Sequence, residues 1–154
     1  MLDTGFPRAD VENDFLRARR RQFLTAVAQR LRRGPSDGNR LVRLDDVVSG
    51  PCWRGQRQLG LQTVPVDTIV GTAGSRRDFD RRFRPTSARV RPRWEGLALA
   101  IRRGAAIPPI EVYRVGHRHF VVDGHHRVSI AAATRQHQID AYVTEVLTAC
   151  RPGP

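Results

Sequence analysis

Lysine is absent from this 154-residue chain, so all 27 residues of the lysine and arginine count are arginine. Arginine stays protonated and forks onto phosphate or carboxylate, but it supplies no neutral amine. Schiff-base chemistry is therefore excluded, as is a Walker-type phosphate loop, which needs its lysine. Cysteine is scarce too: Cys52 and Cys150 stand far apart and outside any CxxC spacing. That pattern suggests neither a disulfide framework nor a zinc ribbon, and a reducing cytoplasm is the default expectation. Long hydrophobic runs are missing as well. Nowhere do 18 apolar residues follow one another, and the amino terminus has no apolar stretch of signal-peptide length. A cytoplasmic protein with no membrane span is expected.

What remains is one modest core and a large positive charge. A 40% hydrophobic content suits one compact domain with an appended segment. The formal charge of +12 predicts attraction to polyanions or anionic surfaces.

From Asp10 to Arg33 the residues Val11, Phe15, Ala18, Phe23, Val27 and Leu31 recur at three- to five-residue steps, which predicts an amphipathic helix. Its other face is rich in arginine, and Gly34-Pro35 supplies a stop. Such a helix reads as a packed element, a nucleic-acid arm or a membrane-surface segment. Leu44 to Val48 suits one helical turn, and Gly50 to Gly60 reads as an irregular connection. A short edge strand is expected over Leu61 to Val70, because Pro65 cannot donate within a central ladder. Gly71 to Pro85 reads as a mobile polar loop or a short helix. A helix over Arg93 to Arg103, a hairpin from Ile110 to Val122 turning at Gly116-His117, a helix opened by Gly124, and a strand over Gln138 to Val146 complete an α+β layer. His117 and His119, which straddle the hairpin turn, read as exposed polar residues.

The informative element is a strand ending in Asp123-Gly124, followed by His125-His126-Arg127 and an alanine-rich helix. The first turn of a helix presents unpaired N–H groups and the positive end of its dipole, so anions settle there. Glycine permits close approach, Arg127 can fork onto a phosphate, and His125 and His126 can donate hydrogen bonds or gain a proton. Asp123 has four readings: a helix cap, an orienting partner for a histidine, a general base, or a magnesium ligand beside a phosphate. Adjacent histidines on a helix start diverge, so no metal site is assigned. Arg81, Arg82, Arg84, Arg91 and Arg93, with Phe83 and Trp94 among them, form a tract suited to nucleic-acid backbone and bases.

Three segments fall in an order that resembles the ParB family: Val64-Pro65-Val66-Asp67-Thr68-Ile69, Pro108-Pro109-Ile110-Glu111-Val112, and Val122-Asp123-Gly124-His125-His126-Arg127-Val128-Ser129-Ile130-Ala131. The resemblance implies a ParB/sulfiredoxin-like fold, a small mixed sheet with packed helices, over residues 61–147. An amino-terminal helical segment would occupy 1–60 and a tail 148–154. It further implies a nucleotide-binding, DNA-associated module in which Gly124, His125, His126 and Arg127 hold phosphate and Arg76 and Arg77 belong to a second arginine box. CTP or ATP, with magnesium as a companion ion, would be the ligand, non-specific nucleic acid a partner, and a second copy of the chain a further one. The alternative is a ParB-like phosphotransferase or nuclease using Asp123, His126 and Glu111. His125 stands where sulfiredoxins carry their reactive cysteine, so sulfinic acid reduction is not implied.

Overall fold

The computed structural model describes residues 5–33 and 39–150, the side chains of Arg32 and Arg33 excepted. The helix stop expected at 34–38 and the last four residues lie outside the described part. The fold belongs to the α+β class, as expected. Its six strands are β1 (Val42–Arg43), β2 (Trp53–Pro65), β3 (Ile69–Thr72), β4 (Ile110–Val115), β5 (Arg118–Asp123) and β6 (Gln138–Thr148). They form one mixed sheet in the order β1-β3-β5-β4-β6-β2. The helices are α1 (Pro7–Arg33), the single turn α2 (Leu44–Val47), α3 (Arg91–Arg102) and α4 (His125–Ala133). Among the described residues no helix is long and apolar enough to cross a membrane.

The hairpin forms as its alternation predicts. Ile110, Val112 and Val115 of β4 are buried, and Gly116 turns the chain at φ 60° so that Val115 faces Arg118. Ile110, Val112, Val121, Ala141 and Val143 build the central core beneath Val128 of α4. Gly71 lets the edge strand β1 approach closely, since a Cβ there would overlap the Val42 carbonyl. On the helical layer, Trp94 is fully buried and donates to Ser129 Oγ at 2.9 Å, which locks α3 to α4.

Three expectations are corrected here. The connection expected over 50–60 is mostly strand: β2 begins at Trp53 and pairs with β6 from Thr148 down to Gln138, so part of the segment set apart as 1–60 lies in the sheet. The two cysteines are joined, Cys52 to Cys150, across the open end of the β2–β6 ladder. The apolar stripe of α1 is not continuous either. Val11, Phe15 and Ala18 are buried, with Phe15 edge-on to Trp94 and Asp14 bound by Arg102 at 2.7 Å, whereas Phe23, Leu24, Val27 and Leu31 are exposed. The reason is geometric. At roughly 100° per residue, the five-residue step from Ala18 to Phe23 turns the stripe by about 140°, off the packed face.

Candidate functional site

The segment after β3 folds around one carboxylate. Asp80 is wholly buried; its Oδ1 accepts the main-chain N–H groups of Arg82 and Arg84, both at 2.9 Å, and its Oδ2 accepts Arg84 Nε at 2.9 Å. Arg84 also donates to Thr25 of α1 at 3.0 Å. This segment, expected to be mobile, is thus pinned from inside, and it sets Phe79 against the start of α4. The Phe79 ring stacks on His125 with centroids 6.3 Å apart and meets His126 edge-on at 5.2 Å.

Gly124 is the residue before α4, at φ 104°, and no side chain caps the helix. The cap offered for Asp123 is therefore corrected: its carboxylate takes Arg127 Nη2 at 2.5 Å instead. A Cβ at position 124 would overlap Ile110 Cγ2, so glycine is required for close packing as well as for its φ. Arg127, which also lines the cavity described next, has three of its N–H groups engaged, since its Nη1 donates to the carbonyls of Pro108 and Pro109 at 2.5 and 2.6 Å and its Nη2 to Asp123. It clamps the loop before β4 to the helix start.

A cavity of about 80 Å3 opens beside this helix start, with Arg76, Asp78, Phe79, Arg93, Asp123 and His126 in its wall. Among the described residues neither Arg76 nor Arg93 forms an ion pair. His126 Nε2 is buried without a hydrogen-bond partner, an arrangement that normally carries a cost. Burial, then the Arg93 guanidinium, pushes the His126 imidazole below its ordinary value. The wall thus sets two guanidinium groups, Arg76 and Arg93, against two carboxylates, Asp78 and Asp123, with the neutral imidazole of His126 among them.

His125 plays a different part from the one expected. Its ring is buried between Phe79 and Phe83, and Nε2 bonds Thr72 Oγ1 at 2.9 Å, which ties the end of β3 to α4. Burial, then Arg76, lowers its pKa to about 4. His119, expected to be exposed, is buried in the central strand β5, bonds Thr68 Oγ1 at 2.8 Å, and is lowered to about 4 by burial and Arg114. The sign follows directly. Between the ordinary imidazole value near 6.5 and about 4, the unfolded chain binds these protons and the folded chain does not. Stability from these groups is complete above that window and is lost as pH falls through it, by on the order of a few kcal/mol when both are charged. Urea unfolding from pH 7 to pH 4 should show this slope, and His119→Asn should flatten it; an unchanged slope in the variant contradicts the assignment.

The other expected residues scatter. Glu111 is the ladder partner of Asp123 across β4 and β5, but it lines a separate shallow depression with Tyr142 and Val122 and not the cavity that holds His126. Arg77 does not line the cavity. Of the arginine tract, Arg84 is bound by Asp80, Arg91 pairs with Glu12 and Glu95, and Arg93 faces the cavity, while Arg81 and Arg82 stay exposed on another groove. The cavity role of Arg93 was missed in the sequence, although its i,i+4 spacing to Leu97, which shares that wall, was visible. Among the described residues no group of three or more His, Cys, Asp or Glu is assembled to hold a metal. Searched against known families and curated proteins, the sequence matches no family model and no curated relative.

Proposed function

We propose that the cavity at Gly124 binds a phosphoryl group of a nucleotide, CTP or ATP, and that the chain is a ParB/sulfiredoxin-like module with added non-specific affinity for nucleic acid. The observation that carries this reading is the convergence of Arg76, Arg93 and the partnerless His126 Nε2 on one small cavity beside an uncapped helix start. Two guanidinium groups and a helix dipole supply positive charge, set against the Asp78 and Asp123 carboxylates of the same wall, and the imidazole supplies one hydrogen bond to an oxyanion. In this reading Arg127 orients the turn rather than touching the ligand. Where magnesium accompanies the nucleotide, Asp78 and Asp123 are the carboxylates at hand. Nucleic-acid affinity rests on the exposed Arg77, Arg81 and Arg82 and on Arg17, Arg20 and Arg21 of α1.

In this reading the protein is cytoplasmic, an assignment that rests on the nucleotide alone, since the Cys52–Cys150 bridge gives it no support.

Thermal unfolding with CTP, ATP and their diphosphates, with and without magnesium, tests the proposal. At 100 times its dissociation constant a nucleotide should stabilise the protein by about 2.7 kcal/mol. The Arg76→Ala/Arg93→Ala double variant should lose that gain while keeping its ligand-free midpoint near wild type. Equal stabilisation of wild type and variant rejects the site.

A further inference from the structure

A second and larger concavity lies at the opposite end of α4, and its wall shares no residue with the Gly124 cavity. Its volume of about 730 Å3 is that of sites that take small organic ligands, roughly 300–1,000 Å3. Pro65, Val66, Val70 and Ala132 give it an accessible apolar floor, alongside the buried Ile69, Phe83 and Val128, while Arg81, Arg82 and Arg135 stand at its rim. Asp67 is the one carboxylate in its wall. Among the described residues none of these three guanidinium groups meets a carboxylate.

The backbone on both sides of this groove is held where side chains are disfavoured. Among the described residues the only non-glycine residues at positive φ are Phe83 (56°) and Arg135 (57°), and both line it. Arg135 directly follows the last turn of α4. Its N–H bonds Ala132 O at 3.4 Å and that of Gln136 bonds Ala131 O at 2.9 Å, the helix ending in which glycine ordinarily takes this position. An arginine here accepts backbone strain and places a cation on the rim. Across the groove, Asp80 holds the turn that carries Arg81, Arg82 and Phe83.

We propose that this groove binds an amphipathic anion: an apolar body against Pro65, Val66, Val70 and Ala132 and a carboxylate or phosphate head held by Arg81, Arg82 and Arg135. Both halves of the groove are needed for the assignment. A free phosphate or a bare polynucleotide backbone would satisfy the rim and leave the floor wet, and a neutral apolar compound would leave the rim unused. Arg81 and Arg82 thereby gain a guest other than nucleic acid.

Calorimetric titration of the full chain with decanoate, decyl phosphate and decanol, each below its micelle concentration, tests this. One anion should bind per chain, and decanol at least about tenfold more weakly. Comparison of the two anions identifies the preferred head group. Arg135→Gly should keep or raise the thermal midpoint, because glycine accepts that φ without strain, yet weaken the anion by about tenfold or more. Arg81→Ala/Arg82→Ala should weaken it similarly. Decanol binding as tightly as decanoate, Arg135→Gly binding like wild type, or the absence of saturable binding overturns the proposal.

Discussion

Reducing the Cys52–Cys150 bridge should lower the stability of the oxidised protein by roughly 4–5 kcal/mol, the chain-entropy value for a loop of about 100 residues. The two residues are 98 apart in the chain, so the bridge restricts the unfolded ensemble strongly. In the folded state it changes little, because Trp53 already pairs with Thr148 and Ala149 N–H already bonds the Cys52 carbonyl. Urea unfolding with and without a strong reductant, alongside the Cys52→Ser/Cys150→Ser double variant, measures the difference. The reduced protein should keep its fold and its nucleotide response, since the bridge lies at the far end of β2 and β6 from Gly124. A difference under about 1 kcal/mol would show that the entropic argument fails for this ladder.

Asp80→Asn should cost about 3–5 kcal/mol, the usual penalty for breaking a buried ion pair and leaving its partner charged. An amide can still accept the Arg82 and Arg84 N–H groups through its oxygen, but it leaves the Arg84 guanidinium without a counter-charge. The loss should spread to the cavity wall, because Asp80 sets Phe79 against both histidines. Equilibrium unfolding gives the first number, and nucleotide affinity of the folded variant gives the second. A variant within about 1 kcal/mol of wild type would mean that the segment is held by something other than this carboxylate.

Local signals told the truth in this chain, and long-range ones were silent. The hairpin and the Gly124 turn were legible because period-two burial and a glycine at the strand–helix junction are written within a dozen residues. β2 was not, for its sequence Trp53 to Pro65 buries only Val64 fully and carries arginine and glutamine on an edge strand. Its conformation comes from pairing with β6, whose partner residues lie 73 to 95 positions further along the chain. The Cys52–Cys150 contact is hidden for the same reason. In α1, counting apolar residues gave the helix but not its packing, since the step from Ala18 to Phe23 changes face. The arginine tract misled differently: composition marks it as one surface, yet the fold around Asp80 sends Arg84 inward, Arg93 to the cavity and Arg81 and Arg82 to the opposite end of α4.

The cavity itself was half legible. Gly124 and His126 could be named from the junction, and Arg76 from its place in the preceding loop. That Arg127 is tied to Pro108, Pro109 and Asp123, and that His125 is a packing residue, depends on neighbours brought together from β3, β5 and the loop before β4.

The imidazole nitrogen resonances of His126, followed in nitrogen-15-labelled protein as CTP or ATP is added at neutral pH, report on the central claim directly. A guest oxyanion in the cavity should move the Nε2 resonance as this nitrogen gains a hydrogen-bond partner, while His125, held by Thr72, stays nearly unmoved. Saturating nucleotide that leaves His126 unchanged would contradict the account.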